Sequence, residues 1–82
     1  MQHRYAGAVW KCIYIYDTFG VESYRGYLFN LICKMSQEDD LTEDEIHVLE
    51  MLKGLKQNED IATKKDIRSV ILGCSARLYR ED

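Results

Sequence analysis

Residues 41–67 read LTEDEIHVLEMLKGLKQNEDIATKKDI, and this stretch contains one helix-start pattern twice. At LTEDEI and again at ATKKDI, an apolar residue is followed by a threonine, two polar residues, an acid and an apolar residue. This order is typical of a capping box, in which Thr42 or Thr63 accepts a backbone N–H bond while the acid bonds back to the threonine N–H. The stretch therefore predicts helices at about 43–57 and 64–79.

Apolar residues recur at helical spacing in both of these predicted helices. The face of the first helix comprises Ile46, Val48, Leu49, Met51, Leu52 and Leu55. The face of the second helix comprises Ile67, Val70, Ile71, Cys74 and Leu78. Each helix is therefore expected to bury one side and to leave the other side in water.

Residues 8–16, which read AVWKCIYIY, fit two kinds of element. Their β-branched and aromatic side chains are typical of a buried strand. Val9, Ile13 and Tyr16 also follow the i, i+4, i+7 spacing of a helix face. The type of this element therefore depends on the residues that follow it.

The next segment carries an unbroken helical period. Its apolar face comprises Tyr24, Tyr27, Leu28, Leu31, Ile32 and Met35. Gly20 suits the end of a preceding helix, because glycine readily adopts the left-handed conformation that is common there. We therefore predict helices at about 5–18 and 21–35, with a strand at 8–16 as the alternative.

Length and composition indicate a single domain over residues 1–82. The hydrophobic fraction of 46% argues against disorder, and the complete lack of proline favours helices. We predict an all-α fold, a compact bundle of three to four helices, which would become an α+β domain if 8–16 were a strand. A chain this short buries only about 60% of its unfolded surface, so self-association would add stability.

The sequence also bears on compartment and cofactors. No apolar run approaches the roughly 20 residues of a membrane span, so no membrane location is predicted. Cys12, Cys33 and Cys74 are odd in number and far apart, which favours reduced thiols and a cytoplasmic location. No CxxC or HxxxH spacing is present, so neither a metal nor a cofactor is expected.

Two residues are candidates for a catalytic role. His47 has Glu43 and Glu50 about one turn to either side, and a base oriented by a carboxylate is a catalytic arrangement in principle. However, His47 lies off the leucine face, so we expect it to face water. Cys74 lies on an apolar face and is expected to be a small core residue. We therefore predict no catalytic residues and a protein that is not an enzyme.

Seven aromatic residues are crowded into residues 10–29. On helices they cannot all face one side, so they form either a core with ordinary amphipathic tyrosines or, in part, an interface. The residues predicted for an interface are Val9, Trp10, Ile13, Tyr14, Tyr16, Tyr24 and Tyr27. The leading hypothesis is a small regulatory or adaptor protein that acts by binding another protein, as a homodimer.

Residues 41–62 also resemble the opening of the LuxR/GerE-type DNA-binding domain. The resemblance is carried by Leu41, Thr42, Glu45, Val48, Leu49, Glu50, Met51, Leu52, Asn58, Ile61 and Ala62. It implies a scaffold helix, the start of a second helix, and then a turn and a recognition helix that lies in the major groove. After Ala62 the chain departs from that pattern, because TKKDIRSVIL carries its own cap at Thr63.

The charges are distributed unevenly, which supports an alternative function. Residues 36–60 contain nine acids against two lysines, whereas residues 61–80 are mainly basic. A basic segment is available to phosphate groups. The alternative is therefore a helix-turn-helix DNA-binding regulator, with nucleic-acid contacts predicted at Lys64, Lys65, Arg68, Arg77 and Arg80.

Overall fold

Four helices make up about four fifths of residues 4–79, the part of the chain that the computed structural model describes. They are α1 (Ala6–Phe19), α2 (Val21–Ser36), α3 (Glu43–Gln57) and α4 (Lys64–Tyr79). The predicted all-α fold is confirmed. The strand considered for 8–16 is wrong, because that segment lies inside α1 and buries Val9, Cys12 and Ile13, at the i, i+3, i+4 spacing of a helix.

One glycine both ends α1 and begins α2. Gly20 has φ of +98° and ψ of 177°, a combination that is nearly confined to glycine. Its N–H donates to the carbonyl oxygen of Tyr16 at 3.0 Å, and its own carbonyl accepts from the N–H of Tyr24 at 3.1 Å. The two helices therefore form a hairpin with a single connecting residue.

Both predicted capping boxes are present. The Glu45 N–H donates to Thr42 Oγ1 at 3.2 Å, and the Thr42 N–H donates to Glu45 Oε1 at 2.9 Å. At the start of α4, the Asp66 N–H donates to Thr63 Oγ1 at 3.1 Å, and the Thr63 N–H donates to Asp66 Oδ2 at 3.0 Å. The sequence pattern thus sets where α3 and α4 begin.

The helices pack in a ring in which each lies antiparallel to its neighbours. In an antiparallel pair, the start of one helix lies beside the end of the other. Polar contacts occur at such places between each pair of neighbouring helices. These contacts are Arg4–Glu38, Arg25–Glu59, Asp44–Arg77 and Asp17–Arg68. The contacts link α1 with α2, α2 with α3, α3 with α4 and α4 with α1. The result is an up-and-down four-helix bundle.

All four helices contribute to one core. Its fully buried side chains include Val9, Cys12, Tyr24, Leu28, Met35, Val48, Leu52, Ile71, Cys74 and Leu78. One predicted core position is wrong, because Ile46 is 49% exposed. Each residue of an α-helix turns the chain by about 100°. Ile46 precedes the buried Leu52 by six residues, so the two side chains point about 120° apart around α3. Glu45 takes the inward position instead, where its carboxylate serves the cap and lies 3.6 Å from Arg4 Nη2.

Candidate interaction surface

Helix α1 carries apolar side chains over more than one side, and the bundle buries only part of them. Val9 and Ile13 are buried in the bundle core, as is Tyr24 of α2. The interface hypothesis was therefore wrong to place these three on an outer surface, because the other helices already cover them. Trp10 and Tyr14 lie on the outer side of α1 and are 48% and 54% exposed.

The two remaining residues of the predicted interface are partly buried. The Tyr27 hydroxyl donates to the carbonyl oxygen of Ala8 at 3.0 Å, which ties α2 to α1. The rings of Tyr16 and Tyr24 have centroids 5.3 Å apart. Tyr16 and Tyr27 thus belong mainly to the α1–α2 packing, and the exposed aromatic side chains of the hypothesis are Trp10 and Tyr14.

Helix α4 extends this surface with residues outside the predicted interface. Leu72 and Tyr79 are 44% and 45% exposed, and Ala76 lies between them on the same side of the helix. Together with Trp10, the α4 residues line a shallow cavity of about 360 Å³. We name Trp10, Tyr14, Leu72, Ala76 and Tyr79 the α1/α4 face.

The α1/α4 face is apolar and has few charges. From Ser69 to Tyr79, the one charged residue of α4 is Arg77, which is partly buried and pairs with Asp44 of α3. Ser75 also lines the cavity, and its buried hydroxyl oxygen has no hydrogen-bond partner among residues 4–79. A signal for the α4 half was present in the sequence, because Leu72 and Tyr79 are large apolar residues that lie off the Ile67–Leu78 stripe.

Charged side chains border one end of the α1/α4 face. Asp17 of α1 lies 2.9 Å from Lys64 Nζ and 3.3 Å from Arg68 Nη1, both from the start of α4. The hydrogen bond from Lys64 is the main reason that the pKa of Asp17 is below its ordinary value. Arg77 forms a further ion pair with Asp44 of α3 at 3.2 Å.

These ion pairs bear on the predicted nucleic-acid contacts. Lys64, Arg68 and Arg77 each have a carboxylate partner within the bundle, whereas Lys65 is exposed and has no ion pair with any described residue. Arg80 lies outside the described residues. Phosphate groups would have to compete with Asp17 and Asp44 for three of these side chains.

The side chains considered for catalysis do not come together. His47 is exposed on α3, as expected, whereas Cys74 is buried. Burial raises the pKa of the Cys74 thiol to about 11 and that of the Cys12 thiol to about 12, so both are protonated at neutral pH and weakly nucleophilic. Within residues 4–79, no group of three or more His, Cys, Asp or Glu side chains could hold a metal ion.

Comparison of the chain with protein-family models, with curated proteins and with solved structures finds no match. None of the helices within residues 4–79 is both long enough and apolar enough to cross a bilayer. The chain is therefore classed by its own features, as an up-and-down four-helix bundle with an exposed aromatic face.

Proposed function

We propose that the chain is a small non-enzymatic regulatory or adaptor protein, and that it acts by protein–protein binding as a homodimer formed through the α1/α4 face. The observation that carries this proposal is the exposure of Trp10, Tyr14, Leu72 and Tyr79 side by side, each between 44% and 54%. Tryptophan and tyrosine dominate the energetics of protein interfaces, because their large rings gain much from leaving water.

The composition of the α1/α4 face supports a protein partner. The centres of interfaces are depleted in charge and enriched in aromatic residues, with charged residues at the rim. Here the uncharged outer side of α4 lies next to Trp10 and Tyr14, and Asp17, Lys64 and Arg68 border it at one end. Other exposed apolar residues, such as Phe29 on α2, lie outside the α1/α4 face.

The α1/α4 face is also suited to pairing with the same face of a second copy of the chain. In a two-fold dimer the same patch occurs on both subunits, so a patch must supply both projecting groups and a recess for them. The α1/α4 face has both. Tyr14 is an exposed group, and the cavity lined by Trp10, one helical turn away, is a recess. An antiparallel approach of two α1 helices would bring Tyr14 of one copy to the level of Trp10 of the other.

Replacement of the central tryptophan tests this proposal. Trp10→Ala should raise the dissociation constant of the dimer by more than about fivefold, which corresponds to a loss of about 1 kcal/mol at a central anchor. Phe29→Ala is the matched control, because Phe29 is a similarly exposed aromatic residue (52%) that lies outside the face. Equal dissociation constants for the two variants in sedimentation experiments would contradict the assignment of the face.

The DNA-binding alternative remains a separate prediction. It would use Lys64, Lys65 and Arg68 at the start of α4, with Arg77 further along the helix. A mobility shift on nonspecific duplex DNA that weakens steeply with added salt would support it, because neutralised phosphates release counterions. We rank it second because Asp17 and Asp44 already pair with three of these four side chains.

A further inference from the structure

A second apolar recess lies between α3 and α4, on a different side of α4 from the α1/α4 face. It has a volume of about 360 Å³ and opens to the surface. Its lining includes Met51, Gly54, Leu55, Ile61, Asp66 and Val70. We name this recess the α3/α4 cleft. Ile61, in the turn that closes one end of it, is 77% exposed, the highest value among the large apolar side chains of residues 4–79.

Gly54 lines the α3/α4 cleft and leaves open the space that a side chain would occupy. A glycine inside a helix destabilises that helix relative to alanine. The fold does not require this glycine, because its φ is not positive and an added Cβ would meet no atom within 4 Å. Gly26 on α2 shares both properties, but it is not among the residues that line the α3/α4 cleft. At Gly54, the missing side chain leaves room for a group from outside the chain.

One carboxylate lies among the side chains that line the α3/α4 cleft. Asp66 is the one ionisable residue among those that line it. The backbone N–H of Thr63 donates to its carboxylate, which is the main reason that the pKa of Asp66 is below its ordinary value. The carboxylate is therefore ionised at neutral pH, and it remains exposed to solvent beside the apolar walls.

We propose that the α3/α4 cleft is a docking site for an amphipathic helix of a partner protein, with a large apolar side chain as its anchor and a lysine or arginine beside that anchor. The walls of the cleft are two antiparallel helices, and a groove of this kind accepts the apolar side of a third helix. Met51 adds a flexible wall that can adapt to the anchor. Asp66 supplies the complementary charge for a basic flanking residue.

This site is independent of the proposed homodimer. The α1/α4 face and the α3/α4 cleft share α4 but have no residue in common. A dimer formed through the first surface would carry two copies of the second, one on each subunit. The chain would then combine self-association with the capture of a basic helical segment, as an adaptor does.

The test uses a defined probe, a fluorescein-labelled 18-residue amphipathic peptide built from leucine and lysine, with a leucine and glutamate peptide as its counterpart. Fluorescence anisotropy should show saturable binding of the lysine peptide and at least tenfold weaker binding of the glutamate peptide. Gly54→Leu fills the cleft and should weaken binding of the lysine peptide at least tenfold. Gly26→Leu is the matched control and should leave the affinity unchanged. Circular dichroism would verify that both variants keep their helix content.

Two further variants test the contributions of cleft volume and of the Asp66 charge to peptide binding. Gly54→Ala, the milder change, should reduce the affinity in part, and Asp66→Asn should reduce it by about two- to fivefold, as for one exposed ion pair. No saturable binding of the lysine peptide at up to about 1 mM, or equal effects of Gly54→Leu and Gly26→Leu, would overturn the proposal. A rise in the dimer dissociation constant on Gly54→Leu would also overturn it, by showing that a second copy occupies the cleft. Trp10→Ala tests the dimer alone, so the two proposals fail separately.

Discussion

At the scale of single residues, Gly20 has a backbone conformation that other residues adopt only with strain. Its φ of +98° lets α2 begin directly where α1 ends. Gly20→Ala should destabilise the fold by about 1–3 kcal/mol, because a Cβ is strained in this region whatever space surrounds it. Urea denaturation would measure the change.

Gly26→Ala is the control for Gly20→Ala, because Gly26 lies within α2, at a position where a Cβ meets no atom within 4 Å. This variant should be more stable than the wild type by up to about 1 kcal/mol, since alanine is the better helix former. If both glycine variants changed the free energy of unfolding in the same direction, the backbone role of Gly20 would be refuted.

At the scale of helices, the two capping boxes differ in how far they are integrated into the bundle. Thr42→Ala and Thr63→Ala should each cost about 1 kcal/mol, through the loss of an acceptor for a backbone N–H. The Thr42 variant should cost more, because its partner Glu45 is buried and also lies near Arg4, whereas Asp66 is exposed. Chemical denaturation of both variants would decide. Unchanged midpoints would show that the caps contribute nothing to stability.

The ion pairs of Asp17 predict a pH dependence for the packing of α1 on α4. The pKa of Asp17 is lowered by Lys64 and Arg68, so its stabilising contribution is present above the ordinary aspartate pKa of about 3.9. This contribution is lost as the pH falls through the lowered pKa. The wild type should therefore be more stable than Asp17→Asn at pH 7, and the difference should shrink towards zero in strong acid.

Denaturant midpoints of the wild type and of Asp17→Asn, measured from pH 7 to pH 2, would test this pH dependence. Added salt should reduce the difference at pH 7, because the ion pairs are exposed and ions screen them. A difference between the two proteins that stays constant across this range would show that the charge of Asp17 does not act through Lys64 and Arg68.

Much of the helical architecture could be predicted from the sequence, because its signals are local. Threonine and an acid three residues later mark both late helix starts, and glycine marks the only break between α1 and α2. The side of each helix that faces outward was harder to predict. Ile46 belongs to an apolar run yet lies outside the core, since the position of α3 in the ring turns Glu45 inward.

The residues of the α1/α4 face could be predicted only in part, because the packing of the helices decides which side chains are exposed. Val9, Ile13 and Tyr24 have the same residue types as an interface, and only the packing of the other helices shows that they are core. Leu72 and Tyr79 join Trp10 because α1 and α4 are neighbours in the ring. That adjacency depends on contacts distant in sequence, which a pattern along one helix does not contain.

At the scale of the whole molecule, the bundle presents two apolar surfaces of different character. The α1/α4 face includes the aromatic side chains of Trp10, Tyr14 and Tyr79, whereas the α3/α4 cleft is lined largely by aliphatic side chains and has a carboxylate in its lining. In the proposed dimer, a second copy would cover the α1/α4 face and leave the α3/α4 cleft free for another protein. The proposed self-association is the central claim, because the proposed function is that of a homodimer formed through the α1/α4 face.

Sedimentation equilibrium of the wild-type protein across the micromolar range tests that claim most directly. We predict a concentration-dependent rise from the 9.6 kDa of one chain towards about twice that mass, with a single monomer–dimer equilibrium describing the data. A mass of 9.6 kDa at every concentration would contradict the account, and would leave the α1/α4 face without the partner assigned to it.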